Sequence, residues 1–293
     1  MSDRFEGIYP AVVTPFSGDS VNLEAFTALV DRLYKAGVDG VYVGGNTGEW
    51  YLQTVEERRR VIRAAVELSR GRGRVIAHVG CAATADAIAL AREAERAGAD
   101  AVSSLPPYIS KWGAAEISNY YRRLSSATAL PCFVYYFPAL TGSNCGPSFF
   151  EAMRALPNIR GFKFTDMNLY ELGLMAERAT EGFTILNGHD QVLLPALTMG
   201  AHGGIGSFYN VLPEAFVRLY RAWKAGDVGC ARAKQTEINR VIEIVKRRPL
   251  IPSLRFLLRA QGLDCGPSRE PTLPLTAQEE AALETELCGS IYC

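Results

Sequence analysis

Ile159-Arg160-Gly161-Phe162-Lys163-Phe164-Thr165 reads as a short buried strand with one lysine close to its carboxyl end. Alternation along a strand sends Gly161, Lys163 and Thr165 to one face and Phe162 and Phe164 to the other. In a closed parallel barrel the phenylalanines pack outward on helices and Lys163 points into the barrel mouth. An amine there is partly desolvated, which disfavours its charged form and lowers its pKa. Imine formation with a ketone requires that shift, because only the neutral amine is a nucleophile. The competing reading is a lysine that reaches from a strand end into water while its stem covers apolar surface. On these seven residues alone the competing reading is the stronger; the flanking sequence reverses the balance.

On both sides, apolar strand patterns alternate with amphipathic helix patterns. Strands are expected at 8–14, 40–44, 74–79, 101–105, 132–136, 159–164, 183–187 and 203–206. The intervening helices carry start and stop signals. Asn22 is placed to cap a helix that Gly37 ends, Thr54-Val55-Glu56-Glu57 has the form of a capping box, and Gly98 halts the helix after the third strand. Eight strand–helix pairs within residues 1–226 is the count of an α/β (β/α)₈ TIM barrel. A doubly wound open sheet would have fewer strands and usually a glycine-rich first turn, which is absent. Residues 227–293 read as a C-terminal helical extension packed on the barrel, with a proline-rich loop from Pro267 to Pro274 before its last helix.

Composition narrows the function classes. The 293 residues suffice for two ordinary domains or one large barrel. Lys and Arg number 31 and Asp and Glu 31, with no basic stripe or acidic tail, so neither nucleic acid nor a membrane surface is an expected partner. No apolar run is long enough to cross a bilayer, and Met1 to Glu6 lacks the apolar core of a signal peptide. Seven cysteines is an odd count, and Cys81, Cys132 and Cys230 sit singly in apolar or small-residue contexts. A chain this size needs no disulfide staples, so a reduced, cytoplasmic protein is expected. Cys265, Cys288 and Cys293 are expected to be surface thiols.

In such a barrel the chemistry sits at the carboxyl ends of the strands. There the sequence places Gly44-Gly45-Asn46-Thr47-Gly48-Glu49, Tyr135-Tyr136-Phe137-Pro138, Lys163 and Thr165, Gly188-His189-Asp190-Gln191, and Gly204-Ile205-Gly206-Ser207. A lysine imine with a 2-keto acid makes the keto carbon an electron sink, so the bond to a β-hydroxylated carbon can break. Gly44 and Gly45 allow close backbone approach, so amide N–H groups and the Thr47 hydroxyl can hold a carboxylate. Tyr135, one βα unit before Lys163, is the candidate proton shuttle, and such acid–base help typically contributes ~10²–10⁴-fold. Tyr108, Tyr136, Phe137 and Trp112 read as packing or pocket wall. His78, His189 and His202 are scattered without metal-ligand spacing, so no metal site is expected, although His189 is expected at the mouth. Gly203 to Ser207 lacks the neighbouring cation of a barrel phosphate site.

Gly44-Gly45-Asn46-Thr47-Gly48-Glu49, Tyr135 three residues before Pro138, and Gly161-Phe162-Lys163 together resemble the pyruvate-dependent class I aldolase superfamily, which contains dihydrodipicolinate synthase and N-acetylneuraminate lyase. The resemblance runs from about Gly7 to Pro274. It implies that Lys163 forms the Schiff base, that Tyr135 shuttles the proton, and that Asn46 and Thr47 bind the carboxylate. It also implies no cofactor beyond the covalent lysine imine, and a homo-oligomer, commonly a tetramer. Pro138-Ala139-Leu140-Thr141-Gly142 resembles the sialic acid lyase branch and lacks the arginine with which the synthases bind a second carboxylate. By the same resemblance Thr165, Gly188, Asp190, Gln191 and Ser207 line the sugar tail.

Three departures stand out against that branch. Asn46 replaces a Ser or Thr and cannot pass a proton as a hydroxyl does. Ile109, after Pro107-Tyr108, replaces a relay tyrosine, and Gln191 replaces a Glu. The expected activity is cleavage of N-acetylneuraminate or a similar 2-keto-3-deoxy sugar acid to pyruvate and an aldehyde sugar. Alternatives are an aldolase or dehydratase for another sugar acid, then dihydrodipicolinate synthase. A sugar-acid-binding barrel with weakened catalysis is the non-enzyme alternative, and intact Lys163 and Tyr135 speak against it.

Overall fold

The structure is a computed structural model that describes residues 4–142 and 146–292. Eight parallel strands carry the barrel: β1 Gly7–Pro10, β2 Gly40–Val43, β3 Arg74–His78, β4 Ala101–Ser104, β5 Cys132–Tyr136, β6 Ile159–Phe164, β7 Thr184–Asn187 and β8 Gly203–Gly206. They pair in the order β1-β8-β7-β6-β5-β4-β3-β2. Between β1 and β2 the ring closes just past β1, where Ala11 lies opposite Tyr42 and Val12 N donates to Tyr42 O at 2.9 Å. Helices alternate with the strands as the periodicity requires, and Thr54 and Glu57 form the expected capping box. Cys293, expected as a surface thiol, lies outside the described residues.

The period of two in β6 decides what the barrel encloses. Phe162 and Phe164 face outward, where Phe162 meets Phe149, Phe150 and Phe183, and Phe164 stacks on Tyr136. Burying such a side chain contributes roughly 1.5–3 kcal/mol. Inside, a separate cluster of Phe5, Tyr9, Tyr42, Ile76, Phe133, Tyr135, Leu186 and Ile205 fills the interior. Gly161 leaves room for it, since a Cβ there would lie 2.4 Å from the Phe133 ring. Among the described residues the barrel interior is a packed core.

Some boundaries differ from the sequence expectation. β1 stops at Pro10 rather than running to residue 14, because Val13 N donates to the Asn210 side chain instead of a strand. A two-residue hairpin, Phe16–Ser17 with Ser20–Val21, follows around Gly18 at φ +53°. Cys265 is 1 % exposed, not a surface thiol, because it packs into the core beside the buried Arg255, which takes up its carbonyl at 2.8 Å; Cys288 is exposed.

Helices Val228–Val245, Leu250–Ala260 and Ala277–Leu287 follow the barrel. Gln235 accepts from Leu194 N at 2.9 Å and donates to Asp190 O at 3.1 Å, and Asn239 donates to Gln191 O at 3.0 Å. These bonds tie the extension to the loop that follows β7. No described helix is long and apolar enough to cross a membrane.

Candidate active site

β6 delivers Lys163 to the interior, and register delivers its neighbour. Tyr135 on β5 pairs directly with Lys163, as does Leu186 on β7. The Lys163 amine lies 4.0 Å from the Tyr135 ring centre and 4.2 Å from that of Tyr42, and the residue is 4 % exposed. Burial pushes the amine down from 10.5 to about 7, and the charge of Asp190 opposes that shift. The neutral, nucleophilic form is therefore well populated near neutral pH.

Burial pushes the Tyr135 phenol upward, partly offset by the Thr165 hydroxyl beside it. That hydroxyl is close enough to act on the phenol but does not reach the geometry of a formed hydrogen bond. Gly188 is what lets Thr165 sit there, since a Cβ on Gly188 would lie 1.8 Å from its Oγ1. Gly206 does the same for Asp190, whose Oδ1 would meet a Cβ at 1.8 Å. Asp190 Oδ2 accepts from Ser207 N at 3.3 Å, while Oδ1 and Thr165 Oγ1 are buried without a partner. Burial raises the Asp190 carboxyl from 3.8 to about 7, against the backbone donors of Ser207 and Phe208. Unpaired buried polar atoms cost about 1–3 kcal/mol each, so these two are positioned for a polar ligand.

The loop after β2 closes the other side. Gly44 adopts φ +67°, and its carbonyl lies 2.8 Å from His78 Nδ1. His78 Nε2 takes the Leu105 amide at 3.3 Å, so Nδ1 carries the proton and donates to Gly44. Burial holds His78 well below its usual pKa, with the positive charges of Arg58 and Lys163 adding to the effect. Thr47 Oγ1 bonds Ser207 Oγ at 2.7 Å, linking the loops after β2 and β8. The Trp50 indole donates to Asn46 Oδ1 at 2.9 Å. An indole N–H only donates, so the oxygen of Asn46 is fixed toward Trp50 and its NH₂ remains to donate elsewhere.

These groups surround one pocket of about 470 Å³. All nine residues expected from the sequence line it: Asn46, Thr47, Tyr135, Lys163, Thr165, Gly188, Asp190, Gln191 and Ser207. Tyr108, Phe137 and His189 also line it, whereas Tyr136 points outward toward Glu171 and Trp112 is exposed elsewhere. Ile109 is 80 % exposed and contributes nothing to the wall. His202 sits at the opposite end, accepting from Ile185 N at 3.0 Å.

Sequence reading missed what the C-terminal helices supply. Lys246, Leu250 and Ile251 line the mouth. Arg255 donates from Nε to Glu49 Oε2 at 3.0 Å, from Nη2 to Thr14 O at 2.8 Å and from Nη1 to Cys265 O at 2.8 Å. Both ions are buried, and Glu49 holds a left-handed conformation at φ 52° directly after the Asn46–Gly48 turn. The signal was an arginine inside the apolar run Leu250-Ile251-Pro252-Ser253-Leu254-Arg255-Phe256-Leu257-Leu258.

The model of the dihydrodipicolinate synthetase family matches residues 4–288. The chain belongs to this family. It is accordingly an enzyme, a lyase. It is 38 % identical over 281 residues to an N-acetylneuraminate lyase of Rhizobium meliloti, covering 96 % of this chain and 93 % of that one. A solved sialic acid aldolase of Ruminococcus gnavus, described as a catalytic lysine mutant, superposes with a TM-score of 0.93 at 29 % identity, covering 98 % and 96 % of the two chains. YagE, a prophage protein of the dihydrodipicolinic acid synthase family from Escherichia coli K12 in complex with pyruvate, superposes at 0.91 with 30 % identity, covering 97 % of each.

Proposed function

We propose that the chain is a class I aldolase that cleaves an N-acylneuraminate or a closely related 2-keto-3-deoxy sugar acid to pyruvate and an aldehyde sugar. The observation that carries this is the desolvated Lys163 amine in register with the Tyr135 phenol. Supporting it are the lyase from Rhizobium meliloti, the catalytic lysine of the Ruminococcus gnavus aldolase and the pyruvate bound to YagE.

In this reading neutral Lys163 adds to the ketone and the carbinolamine expels hydroxide to give an iminium; that hydroxide takes the Tyr135 proton and leaves as water, so a phenolate stands beside the iminium. Tyr135 takes the proton of the hydroxyl on the carbon beyond the breaking bond. That carbon becomes the aldehyde, and the bonding pair passes into the iminium to leave an enamine. Tyr135 returns its proton to the enamine carbon, and water releases pyruvate and the free amine. The positive iminium favours the transient phenolate that burial otherwise disfavours. Because the imine is the electron sink, no further cofactor is required.

Thr47 and the Asn46 amide hold the keto acid's carboxylate, with Asn46 as donor only. The proton therefore does not pass through position 46. Thr165, Gly188, Asp190, Gln191 and Ser207 receive the hydroxylated tail. The neutral Leu140 in the wall favours this reading over a synthase that needs a cation there. We further propose a cytoplasmic homotetramer, for which sedimentation should give four times 32.0 kDa.

The test is pyruvate release from N-acetylneuraminate and from shorter 2-keto-3-deoxy acids. Release by the parent and not by Lys163→Ala supports the reading, and equal release by both overturns it.

A further inference from the structure

The wall that the C-terminal helices add to the pocket differs in polarity from the strand ends. The strand ends bring Lys163, Thr165, Asp190, Thr47 and Ser207, whereas the wall contributed by the C-terminal helices is Leu250 and Ile251 with a single polar group, Lys246. The neighbouring cations are committed to the surface: Arg247 pairs with Glu243 and Glu286, and Arg248 with Glu286. Lys246 is exposed, lines the pocket and makes no ion pair among the described residues. A lysine at a helix C-terminus is favoured by the helix's own field. That accounts for a cation here, but not for its position in the pocket wall.

The groups around Lys246 do not neutralise it. His189 lies near enough to feel its charge. Gln191, standing where the lyase branch has a Glu, contributes an amide whose nearest partner is the weak acceptor Met167 Sδ at 3.8 Å. Asp190 is the one acid of the pocket lining and is held deep in it by Ser207. Asp166, which also acts on His189, spends an oxygen on Asn168 N at 2.9 Å. A neutral polyol end would accept from Lys246 and Gln191 but leave the Lys246 charge without a counter-ion. A charged end would gain donors from Lys246 and Gln191, and bonds to charged groups are the strong ones.

We propose that the outer end of the pocket is a subsite for an anionic group, phosphate or carboxylate, borne on the end of the substrate remote from the keto acid, with Lys246 as its cation and Gln191 as a second donor. This rests on the aldolase reading above and narrows its substrate class to sugar acids with a second negative charge.

Condensation with pyruvate tests it, using aldehydes matched except for charge: N-acetylmannosamine against its 6-phosphate, and mannose against mannuronate. The parent should favour a charged member by ~10-fold or more in kcat/KM, about the worth of one hydrogen bond to a charged group. Lys246→Met should erase that preference, mainly through KM for the charged aldehyde, and Lys246→Arg should keep it. The pair that shows the preference identifies the anion as phosphate or carboxylate. No preference in the parent, or one that survives Lys246→Met, overturns the subsite. Borohydride trapping of pyruvate on the same preparations separates the two levels. An adduct on Lys163 without charge preference overturns the subsite alone, and no adduct in the parent overturns the aldolase reading.

Discussion

At the amino ends of the strands the barrel interior is closed by aromatic packing: Phe5 meets Phe133 edge to face at 5.1 Å, and Arg74 lies over Phe5 at 4.6 Å. At the carboxyl ends, the same strands hold Thr165 Oγ1 and Asp190 Oδ1 buried and unpaired around an amine kept from water. One end gains stability from complementarity; the other leaves polar groups without partners until a ligand arrives. Substitutions at the two ends should therefore fail in different ways.

The largest effect is expected from Lys163→Ala, which removes the nucleophile and should bring pyruvate release to background while the chain stays folded. Tyr135→Phe should follow, losing ~10²–10⁴-fold in kcat yet still forming the trapped adduct. Loss of the adduct in that variant would mean the phenol acts on imine formation too. At the opposite end Phe133→Ala should cost ~3–5 kcal/mol of stability by leaving a cavity, read by denaturant unfolding. Its remaining folded fraction should keep a kcat near that of the parent; a fall as deep as that of Tyr135→Phe would break the division between the ends. Trp50→Phe is the mildest. It frees the Asn46 amide to rotate and should raise KM for pyruvate by ~5–10-fold, about the worth of one ordinary hydrogen bond, with kcat little changed.

What the sequence disclosed follows the same division. The facing of Lys163 and its adjacency to Tyr135 were legible because both depend on local rules, the period of two in β6 and the order of βα units. So were the strand-end loops, since glycines at 45, 188 and 206 mark close approaches that the structure contains and Gly44 holds a positive φ. The Glu49–Arg255 pair was not legible, because it joins residues 206 positions apart. Lys246, Leu250 and Ile251 were hidden for the same reason. They reach the mouth only through the packing of the last helices, which no local periodicity reports. The fixed orientation of Asn46 depends on which atom of the amide faces Trp50, and residue type alone does not specify it.

On this account burial keeps the Lys163 amine neutral and nucleophilic near neutral pH. The direct measurement is the rate of borohydride-trapped pyruvate adduct on Lys163 as a function of pH, read by intact mass and peptide mapping. The folded amine titrates near 7 rather than 10.5, so the rate should climb about tenfold per unit below pH 7 and level off above it. Removing the opposing charge in Asp190→Asn should move the bend to lower pH. An adduct on another lysine, or a rate still climbing toward pH 10, would contradict the account.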